Sequence, residues 1–189
     1  MNRNTDKLKN KGFTLAELLV SVSVFTVVMV ISTGSVLSVF DANRKSQNLR
    51  SVMDNLNFTL ESMTRTIRFG RNYHCDITQG SLSSPRDCAG GSSSIALTSP
   101  ASSQVVYKLV GSRVARSING GADYYLTGTD VTITHLSFRV FGSPLYSNGA
   151  DLYQPQVIMV IGGYVGIKPT LRSTFSLETT VSQRQFDSQ

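Results

Sequence analysis

Residues 11–40 read KGFTLAELLVSVSVFTVVMVISTGSVLSVF, and the reading of the whole chain turns on this stretch. From Phe13 to Phe40 the one charged residue is Glu17. These 28 residues, at about 1.5 Å of helical rise each, exceed the roughly 30 Å of a hydrocarbon core, so the stretch predicts a transmembrane helix over 13–40. A cleaved secretory signal has a shorter apolar region, of about 7–15 residues, with its small residues beyond it. Here the run is too long, and the small residue, Gly12, stands before it. A carboxylate inside such a span is costly, which marks Glu17 as a functional residue. Ahead of the span, Arg3, Lys7, Lys9 and Lys11 outweigh Asp6 in a basic leader, 1–12. Positive charge beside a first span holds that side in the cytoplasm, so the chain beyond the span is expected outside the membrane.

The formal charge of +6 on 189 residues is half leader: without residues 1–12 the chain keeps +3. That is too weak to argue for nucleic acid by itself. Roughly 150 residues follow the span, enough for one domain with a real core. The two cysteines, Cys75 and Cys88, enclose 14 residues counting both ends. In a compartment outside the cytoplasm they are expected to be bridged. His74 beside Cys75 invites a metal reading, but two Cys and one His at this spacing match no zinc pattern. The two histidines, His74 and His135, sit in no nucleophile motif, and no phosphate-binding glycine loop is present. The expectation is therefore no metal, no cofactor and no catalysis, with His135 a hydrogen-bonded structural residue.

Helical periodicity continues past the span. Leu49, Val52, Met53, Leu56, Leu60, Met63 and Ile67 are spaced by three and four, one stripe of an amphipathic extension over 41–71 that Gly70 ends. Gly34, with Ser32, Thr33 and Ser35, either softens the helix in mid-membrane or packs against neighbouring helices. From Asn72 to Ser103 the Ser/Gly/Pro composition reads as loop, with one short strand at Ile95–Leu97. Beyond it the period becomes two. Val105–Leu109 and Arg113–Ile118 flank a Gly111-Ser112 hairpin turn. Tyr124–Leu126 is a short strand, and Val131–Phe141 is a long one whose apolar phase slips near Thr134-His135, the mark of a bulge. Gly142–Gln156 reads as a polar loop, Val157–Ile161 as a strand buried on both faces, Phe175–Val181 as a half-buried last strand, and 182–189 as a polar tail. The glycine pairs 90-91, 120-121 and 162-163 read as turns. The class is α+β, a β-rich domain over 72–189 built as an antiparallel meander.

A basic leader ending in Gly12, then Phe13, then Glu17 one turn into an apolar run, resembles the amino terminus of type IV pilins and type II secretion pseudopilins. The resemblance implies cleavage between Gly12 and Phe13 by a membrane prepilin peptidase, N-methylation of Phe13 by the same class of enzyme, and a ladle fold with the long helix on a sheet. It implies a structural subunit held in a filament by its helix, with Glu17 pairing with the positive amino group of a neighbour's Phe13. Partners would be other pilin or pseudopilin subunits and the inner-membrane assembly platform, with a separate ATPase as energy source. The order of features downstream resembles the larger minor pilins and the J-type minor pseudopilins: the Val105–Leu109 strand, an Arg-bearing hairpin, Leu136 to Val140, then Thr180 to Arg184. A rival reading is a competence pilin that captures DNA through Lys108, Arg113 and Arg116 beside Tyr124 and Tyr125.

Overall fold

The structure, a computed structural model, describes residues 12–144, 153–166 and 172–184. The leader up to residue 11, most of the loop expected over 142–156, the Gly-Pro turn before Pro169 and the last five residues lie outside the described residues. The first element, α1 (Leu15–Arg68), carries 54 residues, and the chain divides into two compact units after Arg44.

In the first unit every described residue is exposed, from Phe13 through Phe40. Ser21, Thr26, Thr33 and Ser35 each donate a hydroxyl to the carbonyl four residues back, and Ser23 to the one three back. These five hydroxyls thus satisfy themselves on their own helix, as a segment without water around it requires. A helix apolar on all sides has no chain of its own to pack on, and it fits a single-pass membrane anchor.

In the second unit the stripe read from the sequence is the buried one. Val52, Leu56, Met63 and Ile67 are closed to solvent, with Leu49, Met53 and Leu60 half-buried beside them. Among the described residues nine strands follow: β1 (Arg71–Cys75), β2 (Cys88–Ser92), β3 (Ser94–Thr98), β4 (Gln104–Val110), β5 (Arg113–Ile118), β6 (Tyr124–Tyr125), β7 (Val131–Phe141), β8 (Gln156–Val165) and β9 (Ser173–Ser182). They form two antiparallel sheets, β1-β3-β4-β5-β6 and β2-β7-β8-β9. Both sheets and the helix stripe feed one apolar core, including Tyr107 of the first sheet and Phe138, Met159 and Ile161 of the second. Cross-links tie the layers. Thr59 Oγ1 donates to the Leu126 carbonyl at 3.0 Å, and the Tyr73 hydroxyl donates to the Ile67 carbonyl at 2.6 Å.

The α+β class, the β4–β5 hairpin, the long β7 and the alternating β9 stand as expected, and the β7–β8 register shifts between Ile133 and His135. Five expectations change. One meander becomes two sheets, because the Ser/Gly-rich segment read as loop supplies three strands, and β2 crosses over to pair with β7. Strand β8 buries one face fully and leaves the other half-buried. The glycine pairs 90-91 and 162-163 lie inside β2 and β8, and only 120-121 turns the chain. Gly70 is not left-handed. A Cβ there would lie 2.5 Å from Leu97 Cδ1 and 2.9 Å from the Thr66 carbonyl, so the residue is small because the strand passes close. The tail begins later than read: Gln183 is buried, and the Arg184 N–H donates to the Arg68 carbonyl at 2.8 Å.

Gly163 shows why β8 carries glycines. A Cβ at this position would run into the Thr132 carbonyl oxygen and sit 3.0 Å from Phe175 Cζ. At Gly162 the nearest atom would be His135 Cβ at 3.6 Å, ordinary contact on the outer face. Gly163→Ala should therefore cost about 2 kcal/mol of stability as overpacking and lower the melting temperature by about 5 °C, while Gly162→Ala should change little. Equal melting of the two variants would remove the close-approach explanation.

Candidate processing and assembly site

The start of α1 is built from four residues. Thr14 precedes the first helical residue and Glu17 is the third within the helix. The Thr14 N–H donates to Glu17 Oε2 at 2.9 Å and the Thr14 hydroxyl to the same oxygen at 3.0 Å, while the Glu17 N–H donates back to Thr14 Oγ1 at 3.2 Å. This reciprocal pair is a capping box: it satisfies two amide donors that a helix start leaves without partners. A negative side chain in the first turn also complements the helix dipole. The Thr-x-x-Glu spacing is legible in the sequence, where Glu17 stands out for its charge and its place one turn after Phe13, and Thr14 stands out for neither.

Gly12 and Phe13 stand ahead of this box and are exposed, Phe13 at 87% of its surface. Gly12 is not in a left-handed conformation, and a Cβ built on it would meet nothing within 4 Å. Among the described residues nothing in the chain's own fold asks for glycine there. The same holds of Gly34, whose Cβ would also meet open space.

Residues 7–33 match the family model of the prokaryotic N-terminal methylation motif. No curated protein and no solved structure matches the chain. The methylation motif spans Gly12, Phe13, Thr14 and Glu17 and the first half of the apolar run, and it supports a processed subunit of the type IV pilin or pseudopilin kind.

The other candidates lie in the second unit. Cys75 and Cys88 form a disulfide, with their Cα atoms 5.9 Å apart, inside the usual range. Cys75 ends β1 of one sheet and Cys88 opens β2 of the other, so the bond joins the two sheets as well as closing a loop. His74 is buried, its Nδ1 2.7 Å from the Ser84 carbonyl oxygen and its Nε2 2.6 Å from that of Gln79. The ring holds the disulfide loop to β1. Asp76 shapes the same loop: the Thr78 hydroxyl and N–H both donate to Oδ1, which holds the carboxyl below its ordinary range. His135 corrects an expectation. It is exposed at the β7 bulge, and among the described residues its ring has no hydrogen-bond partner.

The basic-aromatic cluster divides. Tyr107 pairs with Arg116 and Arg116 with Tyr124, whereas Lys108 and Tyr125 both pair with Ala115. Strand alternation therefore sets Arg116 on the opposite face of the sheet from Lys108 and Arg113. Each cation also has a local partner. Lys108 Nζ is 2.9 Å from Asp123 Oδ1, Arg113 donates twice to the Thr127 carbonyl at 2.9 and 2.6 Å and stacks on Tyr125, and Arg116 lies over Tyr124. The hairpin does not present its three cations to one ligand strand.

Proposed function

We propose that this chain is a structural subunit of a type IV pilin-like filament, cut between Gly12 and Phe13, N-methylated on Phe13, and held among its neighbours by its amino-terminal helix. The observation that carries the reading is the methylation motif lying in register with an apolar helix that is exposed all round. Such a helix needs lipid before assembly and other helices after it, and a filament bundle supplies the second. The basic leader faces the cytoplasm and the two-sheet unit lies on the far side of the membrane, where the Cys75–Cys88 bond is at home. Domain limits follow: leader 1–12, span 13–40, amphipathic extension 41–71, β-rich domain 72–189. The partners are a prepilin peptidase with methylase activity, an inner-membrane assembly platform and other subunits. The role is structural rather than enzymatic, and the order of strands favours a larger minor pilin or a J-type minor pseudopilin. DNA capture through Lys108, Arg113 and Arg116 gains no support from cations on two faces with partners of their own.

Co-expression with a prepilin peptidase tests the reading. The mature protein should begin at Phe13 and carry one added methyl group by intact mass. Gly12→Leu should leave uncut protein in the membrane, because a bulky side chain replaces the small residue at the cut. Shortening of Gly12→Leu by the same 12 residues would move the cleavage site elsewhere.

A further inference from the structure

One row of residues crosses the first sheet from core to edge: Cys75, Ile95, Tyr107, Arg116 and Tyr124 are successive cross-strand partners. Residues directly across strands share a face, so the row lies on the side that carries the apolar core. Cys75, Ile95 and Tyr107 are closed to solvent, Arg116 is half-buried, and Tyr124, on the edge strand β6, is exposed. A phenol and a guanidinium thus stand side by side where the rest of the face is apolar.

Neither polar group is satisfied. The Tyr107 hydroxyl and Arg116 Nε are both shut off from solvent, and among the described residues neither has a hydrogen-bond partner. Thr66, beside the phenol, gives its own hydroxyl proton to the Ser62 carbonyl at 3.0 Å. Burial pushes the Tyr107 pKa up against the smaller pull of Thr66 and Arg116, so the hydroxyl keeps its proton and stands as a donor. Among the described residues no carboxylate lies within ion-pair distance of Arg116. Its guanidinium lies over the Tyr124 ring, 6.0 Å from the centroid, and a ring face engages the charge but accepts nothing from the N–H edge. Two buried donors therefore meet with no acceptor between them, which is costly for the phenol and more so for the cation.

We propose that Arg116 and Tyr107 form a binding site for one oxyanion, a carboxylate or a phosphate group, whose oxygens accept from Arg116 Nε–H and from the Tyr107 hydroxyl. The inference rests on the second unit alone and is independent of processing at the amino terminus. Charge makes the ligand an anion, because a guanidinium keeps its proton and cannot be neutralised in place. Donor geometry makes it an oxyanion, because the flat fork of Arg matches two oxygens of one carboxylate or phosphate. Position sets the approach: the Tyr107 end of the row is closed, so the anion enters past the exposed Tyr124. The other two cations of the hairpin have no such need. Lys108 has a carboxylate in Asp123 and Arg113 has the Thr127 carbonyl.

The test titrates the full-length chain, in micelles of a sugar-headgroup detergent, with sodium phosphate and separately with sodium acetate, against sodium chloride at equal ionic strength. The Arg116 Nε–H signal in the NMR spectrum should shift to a plateau with oxyanion and not with chloride, and the melting temperature should rise with oxyanion concentration. A plateau with both ions assigns the site to oxyanions at large; with phosphate alone or acetate alone it assigns the site to that group. Tyr107→Phe should weaken binding roughly tenfold yet melt no lower than the parent without oxyanion, because the hydroxyl it removes has no partner in the chain. Arg116→Lys keeps the charge, loses the fork and should also weaken binding roughly tenfold. Three results would each overturn the proposal: no plateau; parental affinity in both variants, the mark of an adventitious ion only; or Tyr107→Phe melting well below the parent, as it would if Thr66 or Arg116 already satisfied the phenol.

Discussion

Removal of the Cys75–Cys88 bond is expected to lower the stability of the folded chain by about 3 kcal/mol, since closing a loop of this length removes that much freedom from the unfolded chain. For a chain of this size the melting temperature should fall by roughly 6–12 °C. The placement of the bond sharpens the expectation. Strand β2 reads Cys-Ala-Gly-Gly-Ser and pairs with β7 at Cys88↔Val140 and Ser92↔Phe138 alone. With so little apolar surface of its own, β2 depends on its covalent tie to β1 to stay on the second sheet. Cys75→Ala with Cys88→Ser should therefore melt early and also lose amide protection around Val140, before the β8–β9 pairing is affected. Intact mass of unreduced protein should show the loss of two hydrogens. Full alkylation of both thiols without reductant, or a variant that melts with the parent, would count against this account.

The physics that made α1 readable also explains what stayed hidden. The span and the stripe from Val52 to Ile67 were visible because many residues repeat one signal, apolar side chains at helical spacing. The β4–β5 hairpin and the slip in β7 were visible because alternation and a Gly-Ser turn are local. Strands β1 and β2 were not, for their pairing is decided by residues far away: Cys88 meets Val140, and His74 meets Ala96. The glycines of β8 misled for a related reason. Their smallness answers a neighbouring strand, and a neighbouring strand has no local signature. At the candidate site the sequence pointed to Gly12, Phe13 and Glu17, but the chemistry of Glu17 within its own chain needed Thr14, whose signal is the Thr-x-x-Glu spacing. The basic cluster failed for want of register: residues 113 and 116 are an odd number apart, and a strand sends them to opposite faces.

The capping box turns the role of Glu17 into a question that two substitutions separate. If Glu17 acts in assembly through its charge, pairing with the amino group of a neighbour's Phe13, then Glu17→Gln should be cut at Gly12, stay in the membrane at normal abundance, and fall in sheared filaments by roughly tenfold or more. Gln can occupy the third position of a capping box as Glu does, so this variant keeps the helix start and loses only the charge. Thr14→Ala makes the converse change. It removes the hydroxyl that donates to Glu17 Oε2 and accepts from the Glu17 N–H, and leaves the carboxylate in place. It should loosen the first turn, seen as faster amide exchange at Glu17 and Leu18, while entering filaments at close to the parent level. The variant keeps the Glu17 charge and the bond from the backbone N–H of residue 14 to its carboxylate, so incorporation of Thr14→Ala has no reason to drop if the charge is what neighbours use. The opposite pattern, with Glu17→Gln incorporated normally and Thr14→Ala depleted, would mean that Glu17 serves the helix start, and the ion-pair account would have to be abandoned.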